Sequence, residues 1–226
     1  MGKFIAIDGV DASGKQTHTE LLAEYFTSSG YKVRRLSFPM YDSESSALVK
    51  MYLSGKLGKN AQDIDAYSAS TFYAADRFAT YKCDWHTDYE DKDTLIIADR
   101  YVSSNMIHQA CKIKEEKERN EFLQWINDFE FGLLKLPKPN LVVFLDMPVE
   151  ASQKLANARK DLKAGTKKDI HENDKNHLTD AYNAGIGVCE KFGWCKVNCV
   201  DGEQIKSIEE IHSEIMEKVF EMLKKY

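Results

Sequence analysis

Gly9-Val10-Asp11-Ala12-Ser13-Gly14-Lys15 is a loop bracketed by two glycines and closed by a lysine, a spacing that suits the phosphates of a nucleoside triphosphate. Glycines let successive backbone N–H groups turn inward around phosphate oxygens, and the lysine opens a helix whose positive end faces them. The run from Gly9 through Gln16 and Thr17 is therefore the expected cradle. Gln16 stands where a serine or threonine usually sends a hydroxyl to Mg²⁺, and the hydroxyl comes one residue later, at Thr17. The other reading of such a loop is a glycine-rich turn that binds no phosphate.

Two further groups carry chemistry. Leu95-Ile96-Ile97-Ala98-Asp99-Arg100-Tyr101 is an apolar run that ends in a carboxylate and a guanidinium. At the carboxyl edge of a sheet, Asp99 is placed to hold Mg²⁺ or its water and Arg100 to clamp a phosphate. The pair also reads as a structural ion pair at a strand end. Phe72-Tyr73-Ala74-Ala75-Asp76-Arg77 sets Tyr73 and Arg77 four apart, on one helix face, where a base can stack on the ring and meet the guanidinium. Alone, that pair reads equally as core packing beside a surface arginine. Phe38-Pro39 ends the second strand as an ordinary terminator or a cis turn.

These residues need a scaffold. Strands are expected at Lys3–Asp8, Lys32–Phe38, Thr94–Ala98, Asn140–Asp146 and Trp194–Val200, with long helical stretches between them. That alternation predicts α/β architecture: a five-stranded parallel sheet with helices on both faces, in one domain spanning residues 1–226. Leu21, Leu22, Tyr25 and Phe26 recur at helical spacing until Gly30, and Ile208, Ile211, Ile215, Val219 and Leu223 mark an amphipathic final helix. Lys160 to His177 is almost wholly polar, with Lys163, Lys167, Lys168, Lys175 and Gly165. It reads as a solvated loop or as a lid over the triphosphate.

Composition narrows the field. With 31 basic and 36 acidic residues the chain is mildly acidic, which argues against a polyanion-binding surface and so against nucleic acid. No apolar run approaches the roughly 20 residues of a membrane span. With Met1-Gly2 leading straight into the first strand and Ala6 where a myristoylation motif wants a hydroxyl, the cytoplasm is the expected location. The five cysteines and six histidines show no metal-ligand spacing, so reduced thiols are expected.

Taken in order, five segments resemble the bacterial thymidylate kinases along essentially the whole chain. They are the glycine loop, Phe38-Pro39-Met40-Tyr41, Tyr73-Ala74-Ala75-Asp76-Arg77, Asp99-Arg100-Tyr101-Val102-Ser103-Ser104-Asn105, and Leu145-Asp146. The resemblance implies a three-layer P-loop NTPase fold with a mobile lid, and transfer of the ATP γ-phosphoryl group to dTMP. It implies that Lys15 contacts the ATP phosphates and that Asp11 lies near the acceptor sugar and the metal. Tyr41 and Arg100 would hold the acceptor phosphate, and Phe38, Ser104 and His108 would be among the residues that bind dTMP. Tyr73 would stack on thymine, Arg77 would meet O4, and Asn105 would read N3. Arg159 falls where the family's lid begins, and serves the transition state or packs on adenine; Glu172 matches a carboxylate near acceptor and metal. Catalysis would then rest on Lys15, Asp11, Arg100 and Arg159, and Mg²⁺ on Asp11, Asp99 and Glu172. The family also implies a homodimer.

Three departures stand out. Gln16 lacks the metal hydroxyl, His108 replaces an aromatic that in relatives crowds the 2′ position, and Ile170 replaces a lid arginine, with Lys167 and Lys168 just before it. Two other functions fit the residues alone: a P-loop kinase for a different nucleoside monophosphate or a deoxynucleoside, and a nucleotide-binding switch without kinase activity.

Overall fold

The computed structural model describes residues 1–162 and 175–225, without the side chains at 61, 159–162 and 175–176. Five strands form a parallel sheet: β1 (Lys3–Gly9), β2 (Lys32–Ser37), β3 (Thr94–Asp99), β4 (Leu141–Asp146) and β5 (Cys195–Asn198), in the order β2-β3-β1-β4-β5. All five expected strands are present, each within a residue or two of its expected ends. β1 is central. Its Ile5 lies opposite Ile97 of β3 and Leu141 of β4, so its backbone groups are paired on both sides.

Helix α1 (Lys15–Ser28) returns the chain to β2, and Gly30 beyond it takes a left-handed φ of 87°. Helices α2 (Ala47–Leu53), α3 (Ala66–Thr80) and α4 (His86–Glu90) precede β3; α5 (Val102–His108) and α6 (Glu116–Asn127) follow it. Wide π-helical turns extend α3 at Tyr81–Trp85 and α6 at Asp128–Leu133. After β4 come α7 (Val149–Leu162) and α8 (Lys175–Phe192). A small antiparallel ribbon, β6 (Val200–Asp201) with β7 (Gln204–Ile205), leads into α9 (Ile208–Leu223), which a Ser207–Glu210 capping box starts.

The two-residue period of the strands sorts the core. Phe4, Ala6, Ile96 and Ala98 face Trp85, Met106, Phe122 and Ile126, while Ile5, Ile7, Leu95 and Ile97 face Leu22 and Phe26 of α1 and Ile211, Ile215 and Val219 of α9. Burying each such aliphatic or aromatic side chain contributes about 1.5–3 kcal/mol, which holds both helical layers to the sheet. The result is a three-layer α/β fold whose ligand crevice lies where connections from adjacent strands depart in opposite directions, at the carboxyl ends of β1 and β3.

Within the polar segment from Lys160 to His177, residues 163–174 lie outside the described residues, and with them Glu172, Ile170, Lys167 and Lys168. The segment's ends are helical: α7 runs to Leu162 and α8 begins at Lys175. His177 is buried rather than solvated, its ring stacked on that of His108 with centroids 6.1 Å apart.

Candidate active site

β1 delivers its last residue, Gly9, with φ 150°, and a Cβ there would come within 2.8 Å of Ser13 Oγ and 3.0 Å of the Leu145 carbonyl. Only glycine lets the chain turn this tightly against β4. Ala12 and Gly14 follow with left-handed φ values of 59° and 95°, so the loop coils back toward the start of α1. The first N–H groups of α1 have no acceptor within the helix, and they form the anion-seeking end of the loop. Lys15 is 5% exposed, and its Nζ donates to the Val10 carbonyl at 2.6 Å, folded across the loop. Burial pushes its pKa down to about 8, assisted by Arg100 and opposed by Asp11, Asp99 and Asp8.

Arg100 sits just past β3 with a left-handed φ of 66° while its N–H donates to the Ile7 carbonyl at 3.0 Å. This backbone state costs a non-glycine residue about 1–3 kcal/mol. Here the guanidinium pairs with the Asp11 carboxylate, lies 3.5 Å from Ser104 Oγ, and stands 3.3 Å from His108 Nε2. Burial alone would raise the Asp11 pKa, but Arg100, His108 and Lys15 outweigh it and hold the carboxyl well below its usual range. Burial likewise works against the charge on Arg100, and Asp11, Asp8 and Asp99 together overcome it, raising its pKa. Arg100 is therefore a permanent cation between the phosphate loop and the adjoining cavity.

Asp8, which the sequence pattern did not single out, is fully buried behind this pair. It accepts hydrogen bonds from Gly9 N at 3.0 Å, Ser103 Oγ at 2.7 Å and Ser104 Oγ at 2.9 Å, locking the first turn of α5 to the end of β1. Its only sequence signal is a carboxylate closing an apolar strand directly before the first loop glycine.

An open cavity of about 590 Å³ adjoins the loop. Asp11, Phe38, Tyr41, Tyr73, Arg77, Arg100, Ser104, Asn105 and His108 all line it, so the structure brings together every residue expected at the acceptor except Glu172, which lies outside the described residues. Phe38 precedes a cis peptide bond to Pro39 and packs on Tyr101, with ring centroids 5.5 Å apart. The following loop is pinned from α3: Asp76 accepts from Met40 N at 2.9 Å and from Ser45 Oγ at 2.6 Å, which places the half-exposed Tyr41 at the rim. Pro39, Leu53, Tyr101 and Gln109 complete the walls and were not among the expected site residues.

Arg77 lines the cavity but is not solvent-facing, being 2% exposed. Its Nε and Nη2 donate at 2.7 and 2.5 Å to the two oxygens of Glu130, a fully buried residue that the sequence reading missed. Burial works against the charge on Arg77, and the Glu130 carboxylate more than restores it. The signal for Glu130 was its register. It lies four residues after the buried Ile126, an acidic residue on a core-facing helical position between Phe129 and Phe131.

The metal-binding expectation has a partial footing. Asp99 Oδ1 and Ser13 Oγ are buried with no hydrogen-bond partner among the described residues, and burial raises the Asp99 pKa. Such oxygen donors suit Mg²⁺, which binds through one or two carboxylates plus phosphates and water. No cluster of three or more potential protein ligands occurs among the described residues. The Gln16 side chain turns outward and donates to Glu20 Oε1 at 3.1 Å, so any contribution to phosphate binding comes from its backbone. Arg159 lies in α7, but its side chain is outside what is described.

The thymidylate kinase family model matches residues 7–215. The chain is 32% identical over 178 residues to a thymidylate kinase of Mycobacterium tuberculosis (strain ATCC 25618 / H37Rv), covering 76% of this chain and 78% of the relative. It is 24% identical over 225 residues to the thymidylate kinase of Plasmodium falciparum, covering 96% and 90%. A probable thymidylate kinase of Methanococcus aeolicus is 26% identical over 221 residues, covering 98% and 97%. Among solved structures, thymidylate kinase from Candida albicans superposes with a TM-score of 0.66 at 18% identity, covering 99% of this chain and 92% of that one, a likeness of fold. The relatives include archaeal and eukaryotic proteins beside the bacterial one, so the likeness is to the family and singles out no one branch of it. This chain belongs to the thymidylate kinase family.

Proposed function

We infer that this protein transfers the γ-phosphoryl group of ATP to the 5′-phosphate of dTMP, giving dTDP and ADP. The observation that carries this reading is the shared Asp11–Arg100 pair. It joins a lysine-closed phosphate loop to an aromatic- and amide-lined cavity, so two nucleotides can meet across one cation. In the transfer, an oxygen of the acceptor phosphate forms a bond to Pγ while the bond from Pγ to the β,γ-bridging oxygen breaks. The acceptor is already anionic, so alignment and charge neutralisation matter more than a strong base. Lys15 and the α1 N-terminus hold the donor phosphates, Arg100 holds the acceptor phosphate, and Asp11 orients Arg100. Arg159 is assigned a further cationic role and Glu172 a contact near the acceptor, both from family position. Asp99 and Asp11, with ATP oxygens, are the residues assigned to Mg²⁺, whose chemistry when bound is to neutralise the crowded phosphates.

Tyr73 is assigned to stack on the base, Arg77 to its O4 edge, Asn105 to N3, and His108 to the sugar side of the cavity. A homodimer is proposed from the family. No described helix is long and apolar enough to cross a membrane. Work in the cytoplasm, without nucleic acid, is proposed from the family and the charge balance. The test of the substrate assignment is transfer from ATP, with and without Mg²⁺, to dTMP, dCMP, dGMP and AMP in parallel. Faster use of dGMP or AMP than of dTMP would overturn it.

A further inference from the structure

We propose that Glu130 is the positioning residue that sets the donor–acceptor pattern of the base-reading pair Arg77–Asn105, and thereby makes the cavity select a base with an imide edge over one with an amidine edge. The inference deepens the acceptor reading above and rests on it. Glu130 is fully buried, and its ionised carboxylate can only accept hydrogen bonds. It takes the Nε and Nη2 donors of Arg77 in a bidentate grip at 2.7 and 2.5 Å. The remaining Nη1 lies 3.5 Å from the Tyr101 carbonyl, so the guanidinium is fixed with its far edge as the donor available to a ligand.

Asn105 is fixed by the same carboxylate. Its Nδ2 donates to Glu130 Oε1 at 3.4 Å and to the Ser70 carbonyl at 3.3 Å. Both partners are pure acceptors, so the amide nitrogen must face them, and both of its hydrogens are then engaged. Asn105 Oδ1 accepts no hydrogen bond among the described residues, and Asn105 lines the cavity. Seen by a ligand, the pair is one donor, Arg77, beside one acceptor, Asn105. A thymine or uracil ring offers the complement, an O4 acceptor beside an N3–H donor. Cytosine offers the reverse, an amino donor against the guanidinium and a bare N3 against the amide oxygen, and both contacts are mismatched. A site built to hydrogen-bond one pattern rejects its reverse because buried polar groups are left unpaired.

The π-helical turn makes this placement possible. After α6 the Asp128–Leu133 stretch widens the helix, carrying Glu130 inward while Leu133 stays 76% exposed. π turns of this kind occur often at functional sites.

Glu130→Gln keeps the shape and adds a donor, so Asn105 can turn over and present its nitrogen to the cavity. The experiment measures kcat/KM for dTMP, dUMP and dCMP, together with KM for ATP, in wild type and Glu130→Gln, with thermal unfolding of each. The expected result is a dTMP-to-dCMP preference that falls by about tenfold or more, with dUMP tracking dTMP and KM for ATP unchanged. If Glu130→Gln does not fold, Glu130→Asp carries the same test: one methylene shorter, it cannot reach both Arg77 and Asn105, and the same ratio falls. An unchanged ratio in the folded variant overturns the proposal while leaving the dTMP assignment intact. A wild-type enzyme that prefers dCMP overturns the acceptor reading itself.

Discussion

Replacing Lys15 with methionine separates function from stability in one variant. The lysine is almost completely buried, and its pKa lies at about 8 where 10.5 is ordinary, so at pH 7 the fold holds a charge it would shed more readily than the unfolded chain. That difference costs about 3 kcal/mol. Methionine removes the cost and fills similar volume, but forfeits the 2.6 Å bond to the Val10 carbonyl, worth about 1–2 kcal/mol. Val10 O keeps a second donor, Ser13 N at 3.2 Å, so it is not orphaned. Lys15→Met is therefore expected to be more stable by about 1–2 kcal/mol, a rise in Tm of about 2–8 °C at this chain length. Its phosphoryl transfer is expected to fall by about a hundredfold or more, because a preorganised cation at the donor phosphates is lost.

The sign with pH follows from proton counting. Below pH 8 the folded lysine is charged and the cost is present in full; between 8 and 10.5 the unfolded chain binds the extra proton, so wild-type stability rises with pH through that window. The advantage of the variant should shrink over the same range. Calorimetry at pH 7 and pH 9.5 with a coupled ADP assay reads both effects. A variant less stable than wild type at pH 7, or one with near-normal transfer, would refute the reasoning.

Three other outcomes follow from particular contacts. Gly9→Ala should lose about 2 kcal/mol or more and most ATP binding, since its Cβ would meet Ser13 Oγ at 2.8 Å and the Leu145 carbonyl at 3.0 Å; denaturant melts and ATP titration check this. Burial holds His18, stacked on His212, down to a pKa of about 4 against an ordinary 6.5. The unfolded chain then binds more protons between pH 4 and 6.5, so stability is full above 6.5 and is lost as pH falls; His18→Phe should flatten that slope by about 1–2 kcal/mol, seen in melts from pH 4.5 to 7. Asp11→Asn should leave Arg100 without its carboxylate partner and lower kcat/KM for the acceptor by about tenfold or more, with KM for ATP changed less.

What could be read from the sequence was what repeats or what chemistry makes rare. Apolar runs gave the five strands, Gly30 gave the end of α1, and the glycine loop, Asp99-Arg100 and Tyr73-Arg77 proved to converge on one crevice. Strand order was not legible, because period and propensity say nothing about which strands are neighbours. Asp8 and Glu130 escaped notice for one physical reason. Each is a single carboxylate in an otherwise apolar register, and its meaning depends on partners 25 to 96 positions away. Gln16 looked like a metal-site anomaly, yet its side chain lies on the solvent side of α1 against Glu20, so the hydroxyl count there says little about where oxygen donors gather. The β6–β7 ribbon is too short for any alternation to register.

The central claim is that the cavity beside the phosphate loop accepts a thymine nucleotide. The direct measurement is isothermal titration of dTMP and dCMP into wild-type protein saturated with a non-hydrolysable ATP analogue. Binding of dTMP at least about tenfold tighter than dCMP, the margin one correctly matched polar edge provides, is the expected result. Equal affinity, or tighter dCMP, would contradict it.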